Sequence, residues 1–305
     1  MFKDIYKIVE EYNKGNNLIK FLRENYSEIL NNNEITQLSY DIQAGSYVKK
    51  ALQNPDFEKE RGQAYATIIE SLGEFDSILE AGIGEATSMI ALIRELKNPP
   101  LKLKGFDISL SRVLYAQDFV KEKIKSEINF CVGDISDCPL SDNSVDLVYT
   151  IHALEPNGGN ELSLVKELIR ITNKYLVLFE PHYELGSSES REHIENHNYV
   201  KNLAGIADQL GHKVIENKIL FDSNPWTNNN TGVIIIEKNH KNTSIKDQKA
   251  NLSEWACPIS KEHLLQEADF LFSEKSMTIY PIIKTIPILL KEKSILASHL
   301  KNFID

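Results

Sequence analysis

Apolar positions along this chain recur at two periods, and their alternation predicts its architecture. Ile5, Ile8, Val9 and Tyr12, then Leu18, Phe21, Leu22, Ile29 and Leu30, stand at helical spacing broken by Gly15-Asn16-Asn17, which predicts two short covering helices. Residues 37–60 carry Tyr40, Asp41, Gln43, Gly45 and Tyr47 without a clear period. That stretch reads either as a lid over a site or as an irregular connector. Helical spacing returns from Glu58 to Leu72, with Ala64, Ile68, Ile69 and Leu72 as the buried stripe and Gly73 as the stop. Short apolar runs then alternate with helical stretches. Strands are predicted at 77–79, 101–106, 128–132, 144–150 and 175–179, with helices after Ala86 and over 113–125, 162–172 and 200–210. Residues 212–221 and 232–237 are β-rich. This order predicts an α/β fold with a doubly wound, mostly parallel sheet whose site lies along the carboxyl ends of its strands.

Polar residues stand at each of those ends. Ser77 to Leu79 leads into Glu80-Ala81-Gly82-Ile83-Gly84-Glu85-Ala86-Thr87, a strand passing through two glycines into a helix. Such a turn lets backbone N–H groups approach a ligand closely. A dinucleotide loop would want a third glycine where Thr87 stands, and Glu85 would oppose phosphates. The second strand ends in Asp107, whose carboxylate suits the two vicinal hydroxyls of a ribose and equally suits a cap near Ser109. The third ends in Gly133-Asp134-Ile135, and the fourth runs into Ile151-His152-Ala153-Leu154-Glu155-Pro156-Asn157.

Glu80-Ala81-Gly82-Ile83-Gly84, Asp107, Gly133-Asp134 and the end of the fourth strand together resemble the class I S-adenosylmethionine-dependent methyltransferases. The resemblance implies a Rossmann-like seven-stranded sheet whose last two strands include one antiparallel member. It further implies that Glu80, Gly82 and Gly84 hold the methionine end of S-adenosylmethionine, Asp107 the ribose, and Asp134 with Ile135 the adenine. Glu85, Ile108 and Ile151 would flank the same pocket, and S-adenosylhomocysteine would be the product. Arg61 could reach the cofactor carboxylate or stand as a solvated helix-face residue. Acceptor residues in such enzymes cluster after the fourth and fifth strands. That points to His152, Glu155 and His182 as catalytic candidates, and to Tyr40, Gln43, Tyr47, Asn157, Glu180 and Tyr183 as substrate contacts. A hydroxyl acceptor would want a base such as His152 near neutral pH; a packed or solvated histidine is the alternative.

Composition narrows the partners. A net charge of −10 argues against broad binding to nucleic acid or an anionic membrane. The amino-terminal residues lack the apolar core of a signal peptide, and no run reaches transmembrane length. Cys131, Cys138 and Cys257 fit neither a disulfide framework nor paired metal spacing, so a reducing cytoplasm is expected.

Residues 238–251 are polar and unpatterned and read as a linker. Beyond them, Cys257-Pro258-Ile259-Ser260 and Tyr280-Pro281-Ile282 through Ile286-Pro287-Ile288-Leu289-Leu290 resemble the small zinc-ribbon-like activator subunits of tRNA and protein methyltransferases. That family has a C-P-x-C and a second cysteine pair. Here Ser260 replaces one cysteine and none follows Cys257, so a metal is not expected. The expected organisation is a helical cap or lid at 1–60, a cofactor-binding domain at 61–238, a linker at 239–251 and a small module at 252–305.

The expected activity is methyl transfer from S-adenosylmethionine to the hydroxyl or carboxylate of a small molecule, sugar or modified peptide. The fourth strand lacks the [DN]-P-P-[YF] signature of one N-methylating subclass. A tRNA or protein methyltransferase using the activator-like module is the second reading. A non-catalytic cofactor-binding partner is the third.

Overall fold

The computed structural model describes residues 4–221, 229–239 and 252–303. The Asn-rich turn expected at 224–230 and the linker at 239–251 lie outside them, apart from Asn229, Asn230 and Asn239.

Five helices precede the first strand: α1 (Ile5–Asn13), α2 (Leu18–Tyr26), α3 (Asn32–Ile42), α4 (Ser46–Gln53) and α5 (Pro55–Glu70). The aperiodic stretch at 37–60 is therefore helical. Its period was hidden because α3 buries polar residues, Thr36 and Ser39, alongside Ile35. A reciprocal cap starts α3: Asn31 accepts from the Glu34 N–H while Glu34 accepts from the Asn31 N–H. Ile8, Leu18, Leu22, Leu30 and Ile35 give this region its own small core.

The strands and helices then alternate: β1 (Ser77–Ala81), α6 (Thr87–Glu95), β2 (Lys102–Asp107), α7 (Leu110–Lys123), β3 (Ile128–Gly133), β4 (Val145–Ile151), α8 (Glu161–Ile171) and β5 (Thr172–Glu180). Two helices follow, α9 (Ser188–His197) and α10 (Leu203–Gln209), and then β6 (Lys213–Phe221) and β7 (Thr231–Glu237). The polar residues before Val200 gave no apolar stripe from which to expect α9. Its start is set by Ser187, whose hydroxyl accepts from the Ser190 N–H. These strands lie in the order β6-β7-β5-β4-β1-β2-β3, parallel except for β7, which runs antiparallel to β5 and β6. The order reverses at β1, where the ends of β1 and β4 diverge and leave a crevice.

The carboxyl-terminal strands continue this sheet. They are β8 (Leu252–Ala256), β9 (His263–Gln266), β10 (Phe270–Ser273), β11 (Thr278–Ile283), β12 (Ile286–Leu289) and β13 (Ile295–Leu296). β12 pairs in parallel with β3, placing Ile288 opposite Val132 and Leu289 opposite Gly133. Ile286, Ile288 and Leu290 join the core on one face of the sheet, and Trp255, Leu264, Leu271, Tyr280 and Leu289 join the other. Lys261 Nζ reaches Glu167 at 2.8 Å, and Trp255 Nε1 donates to Asn129 at 3.2 Å. The edge of β3 is thus covered by the chain's own strand rather than left to pair elsewhere.

Two turns in this region face each other. The Ser260 N–H donates to Cys257 Sγ and the Ser276 N–H to Ser273 Oγ, each at 3.3 Å. Cys257 Sγ lies 3.3 Å from Ser276 Oγ, and Ser260 Oγ lies 3.3 Å from Ser273 Oγ. One thiol and three hydroxyls do not suit zinc, which takes thiolate, imidazole or carboxylate ligands. Hydrogen bonds hold the two turns together instead. Dialysis against a chelator is expected to leave the melting temperature unchanged in scanning calorimetry. Joint Ser260→Cys, Ser273→Cys and Ser276→Cys substitution is expected to add one zinc ion in native mass spectrometry. A melting temperature that drops on chelation would contradict this reading.

Candidate active site

The carboxyl ends of β1 to β4, covered by α3 and α4, surround a cavity of about 470 Å³. Gly82 turns there with φ +77°, and a Cβ on it would lie 2.4 Å from that of Ala153. Only glycine lets the chain leave β1 so close under the loop after β4. The N–H groups of Gly82 and Ile83 both donate to Phe106 O at 2.9 Å. The Gly84 N–H donates to Asp107 Oδ2 at 3.0 Å, and Asp107 Oδ1 accepts from Ser109 N at 2.9 Å. Asp107 therefore ties the glycine turn to the end of β2. The cap of α7 is Ser109, which accepts from the Arg112 N–H.

Three carboxyl groups stand in line along this edge. Glu80 is 2 % exposed and accepts from the Tyr149 hydroxyl at 2.9 Å. Burial pushes its pKa up to about 8, against the opposing pull of that hydrogen bond and of Arg61. Burial also raises Asp107 and Asp134 above the usual carboxylate range. Asp134 accepts from the Ser136 N–H at 2.8 Å and from the Asn33 amide of α3. Ile108, Ile135 and Ile151 complete this half of the cavity.

The helical cover is fastened by polar contacts. Asp41 accepts from Ser109 and Ser111, and Gln37 donates to Ile108 O at 3.1 Å. Glu85 lines the cavity as expected, with its carboxylate oxygens engaged within the protein. It accepts from the Gly45 and Val48 N–H groups at 2.9 and 2.7 Å, where α4 begins. Its charge is spent on that helix terminus.

The other half of the cavity is lined by Tyr40, Tyr47, His152, Glu155, Asn157, Asn160, Ser163, His193, Tyr199 and Asn229. His152 adopts φ +50°, with Nδ1 2.8 Å from Glu155 and Nε2 2.7 Å from Thr231 Oγ1. Burial acts to lower its pKa, but the Glu155 contact outweighs this and the pKa is raised. Both ring nitrogens are engaged within the protein. Glu155 also accepts from the Asn229 amide at 3.1 Å.

Four expected contacts lie elsewhere. Gln43 is turned back to donate to Ser39 O at 2.9 Å. His182 is buried beside β6 and β7, with Nε2 facing Asn217 and its N–H donating to Asn230. Its ring packs where Gly232 leaves room for it. Tyr183 points to Glu195 on the exterior. Glu180 takes the N–H groups of Ala153 and Leu154 at 3.0 and 3.1 Å, which shapes the loop after β4; burial lifts its pKa to about 7. A strand end directs alternate side chains to opposite faces, which adjacency in sequence does not reveal.

Other lining residues carried no motif. Arg61 is not solvated: it donates to Ser88 at 2.9 Å and to Glu58 at 3.1 Å at the cavity wall. Arg112 is buried between the rings of Tyr40 and Tyr47, 4.3 and 4.5 Å from their centroids. His193 and Tyr199 arrive on and after α9, the helix the pattern of apolar residues did not predict.

Residues 78–174 match the family described as a methyltransferase domain. Ajmaline N-methyltransferase of Rauvolfia serpentina is 27 % identical over 117 residues, 37 % of this chain and 39 % of that protein. The chain thus matches about two fifths of the length of that curated relative. A chain in the complex between the Haloferax volcanii Trm112 methyltransferase activator and a methyltransferase superposes with a TM-score of 0.51 at 19 % identity, covering 66 % of this chain and 98 % of that one. Magnesium protoporphyrin IX methyltransferase from Synechocystis, solved with S-adenosylhomocysteine, gives 0.47 at 14 % identity, covering 60 % and 84 %. Residues 78–174 therefore match a methyltransferase domain, and the chain shares its α/β fold with that methyltransferase of the Haloferax volcanii complex.

Proposed function

We propose that this chain transfers the methyl group of S-adenosylmethionine to a hydroxyl oxygen of a small neutral acceptor. The observation that carries the reading is one cavity with two chemically distinct halves. Glu80, the glycine turn, Asp107 and Asp134 form the first; His152, Glu155, Asn157, Asn160, Ser163 and Tyr199 form the second. Support for a cofactor in the first half comes from the space above Gly82, which is closed to any Cβ, and from three carboxyl groups on the same edge, the acceptors an amine and ribose hydroxyls would want. Glu80 would hold the amine, Asp107 the ribose, and Asp134 with Ile135 the adenine. When bound, the cofactor supplies an activated methyl on a sulfonium, and the protein's part is binding, alignment and exclusion of water.

The second half favours a hydroxyl over a carboxylate acceptor. Glu155 places a negative charge there, which a carboxylate would oppose. Of the cations that line the cavity, Arg61 pairs with Glu58 and Ser88, and Arg112 stacks between the two tyrosines. Each keeps one buried nitrogen without a hydrogen bond among the described residues; Lys50 lies toward the Tyr47 ring. Amide, hydroxyl and phenol groups around Glu155 match a polyol or phenol. His152, engaged on both nitrogens, orients Glu155 rather than taking a proton itself.

Calorimetric titration with S-adenosylhomocysteine is expected to give one site of micromolar affinity. Transfer of labelled methyl to a panel of phenols, glycosides, amines and carboxylic acids then tests the acceptor. Methylation confined to amines or acids would refute the hydroxyl reading and leave the cofactor site standing.

A further inference from the structure

We propose that His193, rather than His152, is the general base that takes the acceptor's hydroxyl proton; the proposal rests on the hydroxyl-acceptor reading. His193 stands on α9 and lines the same cavity as Glu155 and Tyr199. Its ring nitrogens make no hydrogen bond among the described residues, whereas both nitrogens of His152 are engaged. The His193 ring is steered by stacking instead. It lies 4.2 Å from the His197 ring at 32°, and 5.7 Å from the Tyr199 ring at 70°. His197 is in turn anchored by Nδ1, 2.9 Å from His193 O.

The groups facing His193 are His197 on its own helix, Tyr199 beyond it and Glu155 on the loop after β4. Burial lowers the His193 pKa and the neighbouring His197 lowers it further, while Glu155 pulls weakly the other way. At neutral pH the ring is therefore uncharged, with a lone pair available for a proton. This half-buried, unengaged imidazole is the state a base needs and His152 does not offer.

The step balances. A ring nitrogen of His193 accepts the hydroxyl proton as the acceptor oxygen bonds to the methyl carbon. The carbon–sulfur bond breaks with its electron pair kept on sulfur, leaving S-adenosylhomocysteine, and the imidazolium later returns its proton to water.

The test compares the full-length chain with His193→Gln, using catechol, 4-nitrophenol and methyl glucoside as hydroxyl probes. NMR of the free protein is expected to show His193 titrating below an ordinary histidine. His193→Gln is expected to lose about 10²–10⁴-fold in kcat. It should also lose the acidic limb of the pH profile and keep its affinity for S-adenosylhomocysteine. Exogenous imidazole is expected to restore turnover to His193→Gly. Retention of the wild-type rate and acidic limb by His193→Gln would overturn the proposal while sparing the hydroxyl reading. Binding of S-adenosylhomocysteine with no transfer to any hydroxyl probe would overturn both.

Discussion

Replacing Gly82 by alanine is expected to abolish productive cofactor binding, with affinity for S-adenosylhomocysteine falling more than tenfold in calorimetry. Two costs combine. A Cβ at φ +77° strains the backbone, by about 1–2 kcal/mol for a non-glycine residue. The same Cβ would stand 2.4 Å from the Ala153 Cβ, so the loop after β4 must move. That loop is held by Glu180 through the Ala153 and Leu154 N–H groups and cannot yield cheaply. Alanine at Gly159 meets nothing within 4 Å although φ is +93°. It separates backbone strain from steric overlap. Gly159→Ala is expected to lower stability slightly and leave cofactor affinity alone. Equal losses at both positions would show that the close approach at Gly82 is unimportant.

Exchanging Glu80 for glutamine is expected to stabilise the protein in alkaline buffer while weakening cofactor binding. The Glu80 carboxyl ionises near pH 4.5 when unfolded but holds its proton to about pH 8 in the fold. Its neutral form contributes stability in full below pH 4.5, and that contribution is lost as pH rises to about 8. Glutamine keeps a neutral group able to accept from Tyr149 without the buried charge. The advantage of Glu80→Gln over the parent should therefore grow from pH 5 to pH 8, reaching a few kcal/mol in urea unfolding. Glu180, lifted to about 7, adds a slope of the same sign in both proteins and cancels in the comparison. On the cofactor side, an ionised Glu80 is the partner an ammonium needs, so affinity of the parent should rise between pH 7 and 9. Glutamine should remove that rise. A flat stability difference across pH would show that Glu80 is ionised throughout.

Much of the glycine-turn half of the cavity was legible because it depends on backbone. A strand that ends in an acid and turns through two glycines needs those residue types at that spacing, whatever surrounds it. Gly82, Gly84, Asp107 and Asp134 therefore stand out in the chain and meet in the cavity. Glu85 shows the limit: the charge was visible, but not the helix terminus 40 residues earlier that consumes it. The His152 and Glu155 half rests on side-chain direction and on elements distant in sequence. Glu180 ends β5 and His182 and Tyr183 follow it as expected, yet Glu180 is used up beneath the loop after β4, and His182 and Tyr183 do not line the cavity. His193 and Tyr199 face it from a helix and the turn just beyond it, with no apolar stripe to announce them.

The order of periods along the chain determined the alternating architecture, and local chemistry at strand ends determined where a ligand would approach. The carboxyl-terminal signature, Tyr280 to Leu290, was visible as apolar residues. Its use as a strand beside β3 was not, because pairing is decided by which edge is open and which apolar faces remain to be covered. Only the tertiary structure decided which histidine is engaged, which arginine is buried between aromatic rings, and which carboxyl keeps its proton. These are properties of burial and of neighbours brought together from far along the chain, and spacing carries no record of them.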